Sequence, residues 1–134
     1  MNLFFDTSAL VKLFHEEQWS RRVTQLITSR ENQIWVSDLV RVEFVSALSR
    51  RFRNNEIDDA RLDQALSGFE QQLVAFKVEP LGHSSIREAE ALLKQYGKVY
   101  GLRTLDALHL GVFSLISDKD WFFVAADQKL CEVS

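Results

Sequence analysis

Cysteine, proline and glycine are all scarce. Cys131 is the only cysteine and Pro80 the only proline, and five glycines are scattered through 134 residues. A lone cysteine excludes an internal disulfide and fits a reducing compartment. Neither GxxxxGK nor GxGxxG occurs, so folds that cradle phosphate on a glycine-rich loop lack their motif. The Cys and His spacing of a zinc site is missing too. There is no repeat, low-complexity segment or linker, and the length suits one domain, residues 1–134. No apolar run approaches the ~20 residues of a membrane span. The N-terminus has no basic segment and Asp6 interrupts its apolar stretch, so a signal peptide is not expected. These absences point to a soluble, cytoplasmic protein. A basic excess is lacking as well. The net charge of -3 counts against a polyanionic partner unless the cations cluster. Apolar residues, by contrast, make up 46% of the chain, enough for an ordinary core.

Short apolar runs alternate with helical patterns. Leu3-Phe4-Phe5 ends on Asp6, Thr7 and Ser8 and reads as a buried strand opening into a helix from Ser8 to Phe14. A second helical pattern carries Trp19, Val23, Leu26 and Ile27 on one face. Ile34-Trp35-Val36 predicts a strand, and Ser37 the N-cap of a helix that runs to Arg53. Asp58 or Asp59 caps the next helix, with Leu62, Leu66, Phe69 and Leu73 at helical spacing. Phe76 to Val78 predicts a strand. Ser85 and Glu88 have the spacing of a capping box, Ile86, Ala89, Leu93 and Tyr96 form the apolar stripe, and Gly97 is the stop. Thr104 opens a helix to Ile116, and Trp121 to Val124 form a last strand. Continuously apolar strands between helices predict an α/β fold whose parallel sheet is covered on both faces.

Four acids break this pattern. Asp6 and Asp127 each follow an apolar strand, at the sheet edge where ligands bind in parallel α/β folds. Each also has a plainer reading, as a cap or turn residue. Glu43 falls in the row of Leu39, Val40, Phe44, Ala47 and Leu48 that faces the core. The alternatives there are a stripe edge or a salt bridge to a nearby arginine. Asp106 shares a face with Leu102, Leu105, His109, Val112, Phe113 and Ile116, though its first-turn position also suits the helix dipole. His109 reads as a satisfied core group that at most supports the acids. One cleft holding all four carboxylates needs a cation. Charges ~4 Å apart repel by ~1 kcal/mol in water and ~4 kcal/mol at an effective dielectric of 20. Oxygen ligands select Mg²⁺ or Mn²⁺. Such ions suit phosphodiester hydrolysis by a bound water, with no protein nucleophile. Thr7 and Ser8 either cap the helix or bear on metal or phosphate.

The runs FFDTSAL at Asp6, VRVEFVSAL at Glu43, LRTLDALHL at Asp106 and FFVAADQKL at Asp127 resemble a PIN-domain ribonuclease, and most of all the VapC-type toxins of bacterial toxin–antitoxin pairs. The resemblance implies a three-layer α/β/α sandwich with a central parallel sheet. It implies a Mg²⁺- or Mn²⁺-dependent endoribonuclease, usually a homodimer, held inactive by a cognate antitoxin protein. Asp6, Glu43, Asp106 and Asp127 would form the acidic site, with Asp6, Asp106 and Asp127 as metal ligands and Ser8 beside them. The chain departs from the family pattern at Ala125, where a hydroxyl residue is usual. It also ends at Ser134, soon after the last motif, so a domain short of its closing helix and strand is expected.

Cations that could hold RNA cluster in two places: Arg50, Arg51 and Arg53 at one helix end, and Lys94, Lys98 and Arg103 before Asp106. Solvated helix ends are the plain reading of both. Arg103 is the one expected to reach phosphate or pair with the acids. Trp19, Trp35 and Trp121 read as core residues rather than base-stacking platforms. Two other functions fit less well. A catalytically inactive PIN-like binding module would act through complex formation alone. A phosphotransfer domain would use Asp6 as acceptor, but Asp6-Thr7-Ser8 lacks the second acid of DxDx[TV].

Overall fold

A computed structural model describes residues 1–12 and 20–125. In chain order the elements are β1 (Asn2–Phe5), α1 (Thr7–Val11), α2 (Ser20–Thr28), β2 (Gln33–Ser37), α3 (Val40–Arg53), α4 (Asp59–Ala75), β3 (Lys77–Glu79), α5 (His83–Tyr100), α6 (Thr104–Ile116) and β4 (Phe122–Val124). The four strands are parallel in the order β3-β2-β1-β4. β1 is central, and its register places Phe4 between Trp35 and Phe123. Strand alternation then divides the core in two. Leu3, Phe5, Ile34 and Val36 pack with Leu10, Val40, Phe44, Leu48, Phe69 and Leu73 from α1, α3 and α4. Phe44 and Phe69 stack at 3.9 Å to seal that side. On the other face Phe4 meets Phe113 of α6 at 5.6 Å and Phe123 at 5.7 Å. Ala89, Leu102, Ala107 and Leu110 extend this second cluster between α5 and α6. The result is the expected three-layer sandwich around a parallel sheet. No helix among the described residues is long and apolar enough to cross a membrane.

α5 and α6 approach closely because Gly111 has no side chain. A Cβ there would sit 2.9 Å from the Ser85 carbonyl oxygen and 3.1 Å from the Ala89 backbone nitrogen. The α5 boundaries differ from the sequence expectation. The helix begins at His83, and Ser85 lies inside its first turn, buried, its hydroxyl accepting a 3.5 Å bond from the Gly82 N–H. It runs past Gly97 to Gly101, which takes the left-handed conformation at φ 67°. Gly101 is the true stop because the turn it makes delivers Leu102 into the core at 7% exposure. Ile86 is 55% exposed, so the buried row of α5 starts at Ser85 and Ala89 instead.

Ser37 is the last, buried residue of β2, and its hydroxyl accepts from the Leu39 N–H just ahead of α3. Asp58 does cap α4, accepting from the Arg61 N–H at 2.8 Å. Phe76 is the buried residue after α4, and β3 starts one position later than expected. Trp35 and Trp121 are half-buried and pack on each other at 4.8 Å, with the Trp35 indole N–H donating to Asn2. Trp19 lies outside the described residues.

Candidate active site

β1 ends at Phe5, which is fully buried, and Asp6 follows at 3% exposure. The Asp6 N–H donates to the Val124 carbonyl, tying the ends of β1 and β4 together. Asp6 has extended backbone and caps α1: its Oδ1 accepts from the Ala9 N–H at 3.0 Å and the Ser8 hydroxyl at 2.7 Å. The cap reading of this residue therefore holds, and the same side chain forms part of a cavity wall. Burial, the dominant influence, pushes its carboxyl from an ordinary 3.8 up to about 6. The Ser8 and Ala9 hydrogen bonds and the pull of His109 oppose the rise, and the Asp106 charge adds to it.

Glu43 lies one turn into α3, where the fully buried Phe44 anchors the backbone beside it. Its side chain is 19% exposed. Oε1 accepts from the Thr7 hydroxyl at 2.9 Å and from Nε2 of His109 on α6. Thr7 and His109 are themselves 3.3 Å apart. A carboxylate can only accept, so Nε2 carries the ring hydrogen facing it. Desolvation pushes the Glu43 carboxyl up, but the His109 bond and charge, the Thr7 bond and the Arg103 charge outweigh it and hold the group below its usual value. The Thr7 hydroxyl is thus committed to Glu43.

Asp106 lies in the first turn of α6, its side chain 20% exposed, with Arg103 Nε 3.3 Å from Oδ2. The Arg103 side chain is 74% exposed and stands over the opening. Asp6, Ser8, Glu43, Asp106 and Arg103 line one cavity of about 420 Å³. Thr7 and His109 border it as well. So β1, α3 and α6 bring three of the four expected acids together. Asp127 lies outside the described residues. Arg50 and Ser46 also line the cavity. Ser46 and Arg50 stand three and seven positions after Glu43, on the same face of α3, and Ser46 is the one that the sequence reading did not mark. Lys94 pairs with Glu90 on the α5 surface at 4.0 Å and is not part of the lining. Ala125 joins the α5–α6 cluster.

The potential ligand atoms are carboxylate and hydroxyl oxygens apart from His109, whose Nε2 is occupied by Glu43. Among the described residues no group of three or more His, Cys, Asp and Glu side chains is arranged to hold a metal ion. Two of the three expected ligands, Asp6 and Asp106, face the same cavity and feel each other's charge. A carboxyl raised chiefly by burial, with a like-charged neighbour adding to the rise, is one whose ionised form a divalent cation would stabilise.

A parallel α/β sandwich with carboxylates gathered where β1 and β4 end has the architecture of a PIN domain. The sequence matches the PIN domain family over residues 3–134, and the chain belongs to that family. It is a homologue of the VapC ribonucleases, 32% identical over 117 residues to one from Rhizobium meliloti (strain 1021), a match covering 81% of this chain and 79% of that protein. Among solved structures, VapC20 of Mycobacterium tuberculosis, a toxin that cleaves the sarcin–ricin loop, superposes with a TM-score of 0.75 at 17% identity, covering 98% of this chain and 95% of that one. A toxin–antitoxin complex from Klebsiella pneumoniae is similar at a TM-score of 0.57 and 18% identity, over 84% of this chain and 78% of that one.

Proposed function

We propose that the chain is a Mg²⁺- or Mn²⁺-dependent endoribonuclease and the toxin of a toxin–antitoxin pair, restrained by a cognate antitoxin protein. The observation that carries the activity is the convergence of Asp6, Glu43 and Asp106, from three separate elements, on one cavity. Asp6 and Asp106 hold the ion, and Asp127, three residues after the strand that pairs with β1, completes the set. When bound, the ion orients the phosphate and acidifies a water molecule. Glu43, held ionised by its neighbours, takes the proton of the attacking water. Arg50 and Arg103 at the cavity wall supply the positive charge that a phosphodiester requires and that the net charge of the chain does not. Ser8 supports the site by fixing one oxygen of Asp6. The similarity to a VapC ribonuclease, to a toxin that cleaves the sarcin–ricin loop and to a toxin–antitoxin complex supports the reading of substrate and partner.

The test is cleavage of a mixed RNA pool by the purified chain with Mn²⁺, Mg²⁺ or chelator, beside Asp6→Asn and Asp106→Asn. Metal-dependent cleavage lost in both variants is the expected result. Cleavage that persists in chelator, or in both variants, overturns the acidic-site assignment. Neither cleavage nor a metal-raised melting temperature would leave complex formation as the chain's activity.

A further inference from the structure

His109 is fully buried at 1% exposure, in the apolar stretch of α6. Its Nδ1 is buried with no hydrogen-bond partner among the described residues. An imidazole in that position is poorly served by the fold, because an apolar side chain of similar volume would fill the space without orphaning a polar atom. Among the described residues the polar partners of the ring are both at Nε2: Glu43, which accepts its hydrogen, and the Thr7 hydroxyl 3.3 Å away. Thr7, adjacent to Asp6, donates to that same Glu43 oxygen. Two donors from two different elements thus converge on Oε1. Glutamate on a helix has three rotatable side-chain bonds, and a pair of donors on one oxygen restricts them all.

Resting on the nuclease reading above, we propose that His109 is a positioning residue for RNA hydrolysis. With Thr7 it fixes Oε1 of Glu43, so that Oε2 stands ready for the proton of the attacking water. In that step the water oxygen bonds to phosphorus as the bond from phosphorus to the leaving ester oxygen breaks. The water's proton passes to Glu43, and solvent protonates the leaving oxygen. No group is oxidised or reduced. His109 touches neither substrate nor metal and acts only through Glu43.

The experiment compares His109→Met and His109→Gln in the full chain. Methionine fills the volume without a donor, whereas the glutamine amide can donate as Nε2–H does. For His109→Met we expect kcat for RNA cleavage to fall about 100-fold, the scale of a misplaced catalytic group, with KM little changed. Its melting temperature without metal should stay close to the parent's, and the rise produced by Mn²⁺ alone should persist. His109→Gln should recover most of the lost kcat. In a Glu43→Gln background, His109→Met should cost nothing further, because the two residues act as a unit. Unchanged kcat in His109→Met, loss of the Mn²⁺ melting response, or additive losses in the double variant would each overturn the positioning role. If the methionine variant does not fold, a fully inactive but folded His109→Gln overturns it instead. An inactive parent chain refutes the nuclease reading, whereas an active parent with an equally active His109→Met refutes the positioning role alone.

Discussion

Asp6→Asn should make the metal-free protein more stable while removing its activity. Asp6 is 3% exposed, and its carboxyl rises from 3.8 in the unfolded chain to about 6 in the fold, chiefly by burial. The raised value means that the folded state holds a proton which the unfolded state gives up. The group's contribution is complete below about pH 3.8 and is lost as pH climbs through about 6. Near pH 7.5 the ionised Asp6 therefore costs about 3 kcal/mol relative to a neutral side chain, and near pH 4 only about 0.6 kcal/mol. Asparagine keeps an Oδ1 acceptor for the Ala9 N–H and the Ser8 hydroxyl, so the α1 cap survives. The expected gain is about 3 kcal/mol in chelator near pH 7.5, or roughly 10 °C in melting temperature for a domain of this size. Scanning calorimetry at the two pH values measures it. A variant that melts lower than the parent, or a gain of equal size near pH 4, would refute the reasoning. On the proposed metal role a cation would have less to offset in the variant, so added Mn²⁺ should raise the parent's melting temperature more.

Arg103→Ala should weaken RNA cleavage through KM and leave the Mn²⁺ melting response in place, because its exposed guanidinium pairs with Asp106 at the cavity mouth. Loss of that response would make Arg103 a support for Asp106 instead. Gly111→Ala should lower the melting temperature by about 5 °C although alanine favours helix. The new Cβ meets backbone at 2.9 Å and 3.1 Å, and overpacking of about 1–3 kcal/mol exceeds the ~1 kcal/mol of helix propensity returned. A rise in melting temperature would show that α5 and α6 can part at no cost.

The sheet was legible because its strands are apolar on both faces, and Leu3 to Phe5, Ile34 to Val36 and Phe122 to Val124 all pair as parallel neighbours. Three of the acids were legible as breaches of a period: Asp6 at a strand end, Glu43 in an apolar row, Asp106 on an apolar face. What joins them was not. Thr7, Glu43 and His109 meet across 36, 66 and 102 positions of sequence, and no local pattern says which buried histidine will face which glutamate. The α5 boundaries were misread for a different reason. Gly97 and Gly101 are both plausible stops, and the choice falls to the one whose turn buries Leu102. Ser85 followed by Glu88 resembles a cap, yet tertiary contact with Gly111 places Ser85 inside the helix. Leu105 was expected on the buried face of α6 and is 47% exposed, beside Asp106 at the cavity.

Two residues that violate local rules lie close together. Asp6 is a buried carboxylate and His109 a buried ring with an orphaned nitrogen, and each costs stability that an apolar residue would not. Each of the three acids that line the cavity is flanked by a fully buried anchor: Phe5 before Asp6, Phe44 after Glu43 and Ala107 after Asp106. The backbone at the site is therefore set by the two hydrophobic clusters and not by the acids themselves. Fixing carboxylates in advance of substrate or cation is what makes them effective, since they need not reorganise during reaction. The same arrangement lets an acid be exchanged for its amide without loss of the fold. Stability and activity should then move in opposite directions at Asp6, where the core bears a charge that only the bound state needs.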